Sequence, residues 1–141
     1  MSRVYWDSML LIYWIEEHPA YSGRVQHILG RMEERNDTLC TSSFALGEIL
    51  VSPYKKGAYE VVKQMRDAIR PPFAELLPFT DDVADHYGRI RATLGVSSAD
   101  AIHLACAAQA KVDLFLTNDR KLVGKIVPGI QFIASLESEI L

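Results

Sequence analysis

An α/β domain built on a short, mainly parallel sheet is the fold class this sequence predicts. Three observations carry the prediction. Short runs rich in β-branched and aromatic residues alternate with longer amphipathic runs along all 141 residues. Hydrophobic residues make up 49% of the chain, enough to bury a core on both faces of a sheet. No repeat, linker or low-complexity tract interrupts the alternation, so one domain covering 1–141 is expected.

The elements follow in order. Arg3 to Trp6 reads as a first strand, since Val4, Tyr5 and Trp6 favour extended backbone. Asp7 ends it, and Ser8 is placed to cap a helix over Met9 to Glu17, which Pro19 closes off. A second helix starts at Ser22, with Val25, Ile28, Leu29 and Met32 on one face. Asn36-Asp37 is a turn signal, and Thr38 to Thr41 makes a second strand. Ser42 or Ser43 caps the next helix, which carries Glu48 and is expected to end near Val51, before Pro53. Tyr59 to Ile69 is amphipathic, and Lys55, Lys56, Lys63, Arg66 and Arg70 make this stretch locally basic. Pro71-Pro72 stops it.

Glu75 to Phe79 predicts a third strand, and Thr80 or Asp81 caps a helix buried through Val83, Tyr87, Ile90 and Leu94. Gly95 closes that helix. Ser97 or Ser98 then caps a helix from Asp100 that is apolar nearly all round, so it should be buried on several sides. A short fourth strand ends near Asp119, a turn spans Lys121 to Gly124, and a fifth strand lies near Ile130 to Ala134. Helices on both faces complete a three-layer α/β/α sandwich with a five-stranded sheet.

Composition narrows the function. A net charge of −3 argues against a general nucleic-acid coat, whose affinity would come from many Lys/Arg–phosphate contacts. It leaves open an enzyme that meets phosphates through a metal ion. Cys40 and Cys106 have no zinc spacing and sit inside apolar runs, as buried free thiols of a reducing compartment do. A strand begins almost at once, leaving no room for a signal peptide, and Met9 to Ile15 is too short to span a bilayer. A cytoplasmic protein with no membrane partner is expected.

Four acids then stand out. In sheets of this class ligands gather at the carboxyl ends of the strands, near a switch in strand order. Asp7 and Asp119 sit at such ends, Glu48 lies about two turns into the helix after the second strand, and Asp100 opens the helix before the fourth. Each has an ordinary explanation. Asp100 suits a helix start, and Asp7 and Asp119 suit turns. Glu48, amid Ala45, Leu46, Ile49 and Leu50, is harder to explain so.

If the four converge, two carboxylates ~4 Å apart repel by about 4 kcal/mol at an effective dielectric near 20. No His or Lys stands beside them in sequence to offset several such terms. A divalent cation does, and oxygen-only ligation suits Mg²⁺ or Mn²⁺. Such a cation activates water and neutralises phosphate charge, which points to phosphodiester hydrolysis. The expected roles are Asp7, Asp100 and Asp119 on metal, and Glu48 on a second ion or on the attacking water. Ser8, Thr117 and Asn118 are expected to hold those carboxylates in place.

The segments Val4 to Glu16 (VYWDSMLLIYWIE), Ser42 to Tyr54 (SSFALGEILVSPY) and Ser97 to Leu122 (SSADAIHLACAAQAKVDLFLTNDRKL), with the final strand, resemble PIN-domain ribonucleases. The likeness is specifically to the toxins of VapBC toxin–antitoxin systems. TNDRKL alone is a weak motif; joined to DAIHLACA and the ordered upstream acids it is fairly specific. The resemblance implies Asp7, Glu48, Asp100 and Asp119 in one pocket, with Thr117 or Asn118 as the family's polar residue of the last motif. It also implies Mg²⁺- or Mn²⁺-dependent cleavage of RNA, a homodimer, and a cognate antitoxin that silences the enzyme. Met9 departs from the pattern, because many members carry a second polar residue there.

Other residues have plainer readings. His103, one turn after Asp100, reads as packing or a local hydrogen bond. Arg120 and Lys121 read equally as solvated charge or as contacts to an RNA backbone. The basic stretch from Lys55 to Arg70 reads as a surface helix, with RNA or an acidic partner segment as the alternative. Tyr13, Trp14 and Tyr54 could stack on bases or form a partner groove, whereas Trp6 reads as core. The competing function is a non-catalytic PIN-like module that binds RNA or protein, and the four retained acids count against it. A phospho-acceptor domain using Asp7 is disfavoured because Met9 stands where a second Asp is needed.

Overall fold

The computed structural model describes residues 1–139 and 141. Among them, eleven elements follow the order β1 (Arg3–Trp6), α1 (Ser8–Ile15), α2 (Ser22–Arg35), β2 (Thr38–Ser42), α3 (Ser43–Lys55), α4 (Tyr59–Ala68), β3 (Glu75–Leu77), α5 (Asp81–Leu94), α6 (Ser98–Gln109), β4 (Leu114–Thr117) and β5 (Phe132–Ser135). The strands form one sheet in the order β3-β2-β1-β4-β5. Every pairing is parallel.

Alternation along each strand separates two cores. Val4 and Trp6 of β1, with Leu114 and Leu116 of β4, face α1 to α4. Tyr5 and Phe115 face α5 and α6, where the rings stack 4.9 Å apart at 7°. The expected three-layer sandwich is therefore the observed one. Fully burying a large apolar side chain contributes about 1.5–3 kcal/mol, so β1, with Val4, Tyr5 and Trp6 inaccessible, is the anchor of both cores.

Strand order places the functional edge. From β1 the chain steps to β2 and β3 through helices on one face. It then returns past β1 to β4 through α5 and α6 on the other face. Order reverses between β1 and β4, so the crevice of this sheet opens at their carboxyl ends. Asp7 follows β1 there, and its N–H extends the ladder by donating to the Leu116 carbonyl at 3.2 Å.

Several local expectations need correction. Asp7, not Ser8, caps α1: its Oδ1 accepts from the N–H groups of Met9 and Leu10 at 3.1 and 3.3 Å. An aspartate in extended backbone is as good a cap as serine, and it stands one residue nearer the strand. The helix α3 runs through Pro53 to Lys55 instead of ending near Val51. Proline removes one donor in the last turn, and burial of its ring offsets that loss. The third strand stops at Leu77 rather than Phe79, and the fifth starts at Phe132. Before β5, Gly129 has φ +101°, and a Cβ there would meet the Ala108 carbonyl oxygen at 2.5 Å. Only glycine lets this loop lie against the end of α6.

Candidate active site

Thr117 is the hinge of the site. As the last residue of β4 it is fully buried, and its hydroxyl donates to Asp7 Oδ2 at 2.5 Å. The same oxygen accepts from the Asp119 N–H at 2.9 Å. One side chain thus ties the acids after β1 and β4 together across the switch point. The Asp119 carboxylate in turn accepts from the Lys121 N–H at 2.9 Å, which folds the turn back and fixes the carboxylate.

Asp7 is 8% exposed. Burial raises its pKa above the usual carboxylate range; the Thr117 hydroxyl, the His103 charge and the Leu10 and Met9 N–H groups pull the other way without winning. Among the described residues no Lys or Arg pairs with Asp7, Glu48, Asp100 or Asp119.

Glu48 enters from α3 and meets His103 of α6, with Oε1 and Nε2 2.5 Å apart. The sequence reading of His103 as packing or a local hydrogen bond placed it one turn from Asp100 but did not pair it with Glu48. On the far side of the imidazole, Nδ1 lies 2.7 Å from the Tyr5 hydroxyl. Tyr5 donates to Ser42 Oγ at 2.9 Å, and Ser42 also caps α3 by accepting from the Ala45 N–H at 3.0 Å. The chain Glu48–His103–Tyr5–Ser42 therefore crosses from α3 to α6 and back through the sheet. Two signals for it were in the sequence. Tyr5 shares its strand face with Asp7, and His103 shares its helix face with Asp100, three residues earlier.

Asp100 stands in the first turn of α6, half-buried, its own N–H held by the capping Ser97 Oγ at 3.2 Å. Asn118, expected to hold a carboxylate, instead donates to the Tyr13 hydroxyl at 2.9 Å. Ser8 makes no hydrogen bond to the acids among the described residues. Trp6 lies wholly in the core, while Trp14 stacks on Phe73 at 4.4 Å.

The structure thus joins Asp7 and Asp119 through Thr117, joins Glu48 to α6 through His103, and sets Asp100 one turn from His103. Among the described residues, no three His, Cys, Asp or Glu side chains are already gathered as a metal cage. The donor set itself is carboxylate oxygen, which fits a hard divalent cation better than zinc.

Comparison with known proteins agrees with this architecture. A family model described as the PIN domain matches residues 4–125. Among solved structures, the chain resembles one of VapBC2 from Rickettsia felis bound to a DNA fragment from their promoter. That match has TM-score 0.74 and 20% identity, covering 94% of this chain and 98% of that one. It also resembles DNA-bound VapBC from Salmonella typhimurium (TM-score 0.70, 24% identity, 96% and 99% covered). A third likeness is to a toxin-antitoxin complex from Klebsiella pneumoniae (TM-score 0.69, 20% identity, 90% and 94% covered). No curated protein matches the sequence closely enough to count as a relative. The family match runs from β1 through β4 and takes in Asp7, Glu48, Asp100 and Asp119, and the chain belongs to the PIN domain family.

Proposed function

We propose that this protein is a metal-dependent endoribonuclease, the toxin of a type II toxin–antitoxin pair. The observation that carries the reading is Asp7: a buried carboxylate at the switch point, given hydrogen-bond donors but no cationic side chain. Membership of the PIN family and the likeness to toxin–antitoxin complexes support it. In this reading Asp7, Asp100 and Asp119 hold Mg²⁺ or Mn²⁺, and Glu48 serves a second ion or orients the attacking water. When bound, the cation supplies charge neutralisation at a phosphate oxygen and a more nucleophilic water.

The chain's own groups do the positioning. Thr117 holds Asp7 and the backbone of Asp119 in one arrangement, and the N–H groups of Met9 and Leu10 fix the other Asp7 oxygen. Asp100 is set by a rigid, buried helix, so it approaches the crevice without loop motion. RNA is the substrate, a cognate antitoxin the protein partner, and a homodimer the working form in the cytoplasm. Among the described residues no helix is long and apolar enough to cross a membrane.

Incubating the purified protein with RNA and Mn²⁺ tests this directly. The wild type should cut, chelator should stop it, and folded Asp7→Asn and Asp119→Asn proteins should cut at least ~10²-fold more slowly. Full activity in either variant overturns the assignment.

A further inference from the structure

The proposed function makes no use of His103 or Tyr5, yet both are buried and fully engaged. His103 is 4% exposed in a helix whose other buried residues are Ala, Leu and Cys. An imidazole there is costly unless both nitrogens are satisfied, and an apolar residue would pack as well. Both are satisfied. The Tyr5 hydroxyl, which donates to Ser42 Oγ, lies 2.7 Å from Nδ1, and Glu48 Oε1 lies 2.5 Å from Nε2, so each ring nitrogen has a partner. Phe44 packs edge-on to the imidazole at 5.3 Å, closing the ring in from a further side.

Resting on the metal-dependent reading, we infer that His103 is a positioning residue. Backed by Tyr5 and Ser42, it presets the Glu48 carboxylate at the carboxyl edge. Glu48 needs such help. Its side chain is 32% exposed, and an untied glutamate loses rotamer freedom when a ligand immobilises it. Here Oε1 is tied to His103 beforehand, while Oε2 has no hydrogen-bond partner among the described residues and stays available. The brace is closed on itself. Ser42 caps the first turn of α3, Glu48 stands on the second, and the path between them runs through β1 and α6. Moving α3 relative to α6 would therefore move the carboxylate, and the network resists that movement.

A purely structural brace predicts lower stability and unchanged metal affinity, so Mn²⁺ binding measured by calorimetry separates the two. His103→Leu should weaken Mn²⁺ binding about 10–100-fold, the range found when a group supporting a ligand is lost. Tyr5→Phe should weaken it less, and His103→Gln, which can still donate to Glu48, should recover most of the loss. In a Glu48→Gln background, His103→Leu should cost nothing further, because the two act through one carboxylate. Losses that multiply in the double variant overturn the inference, as does wild-type affinity in a less stable His103→Leu protein. Should His103→Leu fail to fold, the same cycle with Tyr5→Phe decides. A wild type without saturable Mn²⁺ binding, or one whose affinity is unchanged by Asp7→Asn, overturns the metal reading and this inference with it.

Discussion

The two ends of the sheet treat carboxylates in opposite ways. At the amino end Asp37 and Glu75 each pair with an arginine, and Asp113 accepts a backbone N–H. Asp37, with no exposed side-chain surface, accepts from the Ser2 N–H at 2.7 Å and from Arg35 Nε at 2.9 Å. Glu75 pairs with Arg3 at 2.8 Å, and Asp113 accepts the Arg3 N–H at 2.8 Å. At the carboxyl end Asp7, Asp100 and Asp119 have hydroxyl and amide donors or none, and Glu48 has one histidine. The fold thus pairs one acid with a buried side chain, Asp37, and one half-exposed acid, Glu75, with arginine. On the proposed metal-dependent reading, leaving the switch-point acids without arginine makes room for a cation that is not a side chain.

The largest effect expected from breaking this contrast is at Asp7. Beyond slowing cleavage, Asp7→Asn should make the metal-free protein more stable at neutral pH. The folded-state pKa of Asp7 is raised by burial, so between the unfolded and folded values the native state binds more protons. Stability from this group therefore falls as pH rises through that window, and the penalty is fully present above the folded-state pKa. Asparagine removes it while remaining a good helix cap. Denaturant midpoints at pH 7 and at pH 4 check this, with the gap between variant and wild type narrowing at the lower pH. A less stable Asp7→Asn protein at pH 7 would show that the carboxylate is compensated after all.

Mn²⁺ sharpens the contrast next. At free Mn²⁺ of 100 times Kd the wild type should gain about 2.7 kcal/mol of stability by linkage. Asp37→Asn should gain the same and Asp7→Asn far less. Without metal, Asp37→Asn should lose about 0.5–1 kcal/mol, because a charge-assisted bond to Arg35, whose own side chain is 39% accessible, is weakened. Its cleavage rate should stay at the wild-type value. Thermal melts with and without Mn²⁺ read all of these.

The carboxyl-edge half of this contrast is legible in the sequence, and the amino-end pairings are not. Period-two and period-3.6 patterns placed the strands and helices because those signals are local, and chain order put Asp7 and Asp119 at strand ends. What escaped was non-local or a matter of one donor. Glu48 and His103 are 55 residues apart, and Tyr5 and His103 are 98 apart; no window of sequence contains either pair. Pro53 was read by its local rule, which burial of the ring overrode. Asn118 looked like a partner for the acids, but its amide turns toward Tyr13 on α1, a neighbour that only the parallel pairing of β1 and β4 supplies.

The smallest effect makes the cleanest control, because one chemical change can be made at both ends. Glu75→Gln removes the charge from a half-exposed pair with Arg3, whose side chains are 46% and 36% accessible. Exposed pairs contribute roughly 0.2–1 kcal/mol, and the Gln oxygen can still accept from the guanidinium, so the stability loss should fall below about 0.5 kcal/mol. Cleavage and Mn²⁺ affinity should not move. Glu48→Gln deletes the same single charge from the opposite end, and there both should fall. If Glu75→Gln impaired Mn²⁺ binding as much as Glu48→Gln does, net negative charge and not the arrangement at the carboxyl edge would govern the cation. The two ends would then differ in bookkeeping rather than in chemistry.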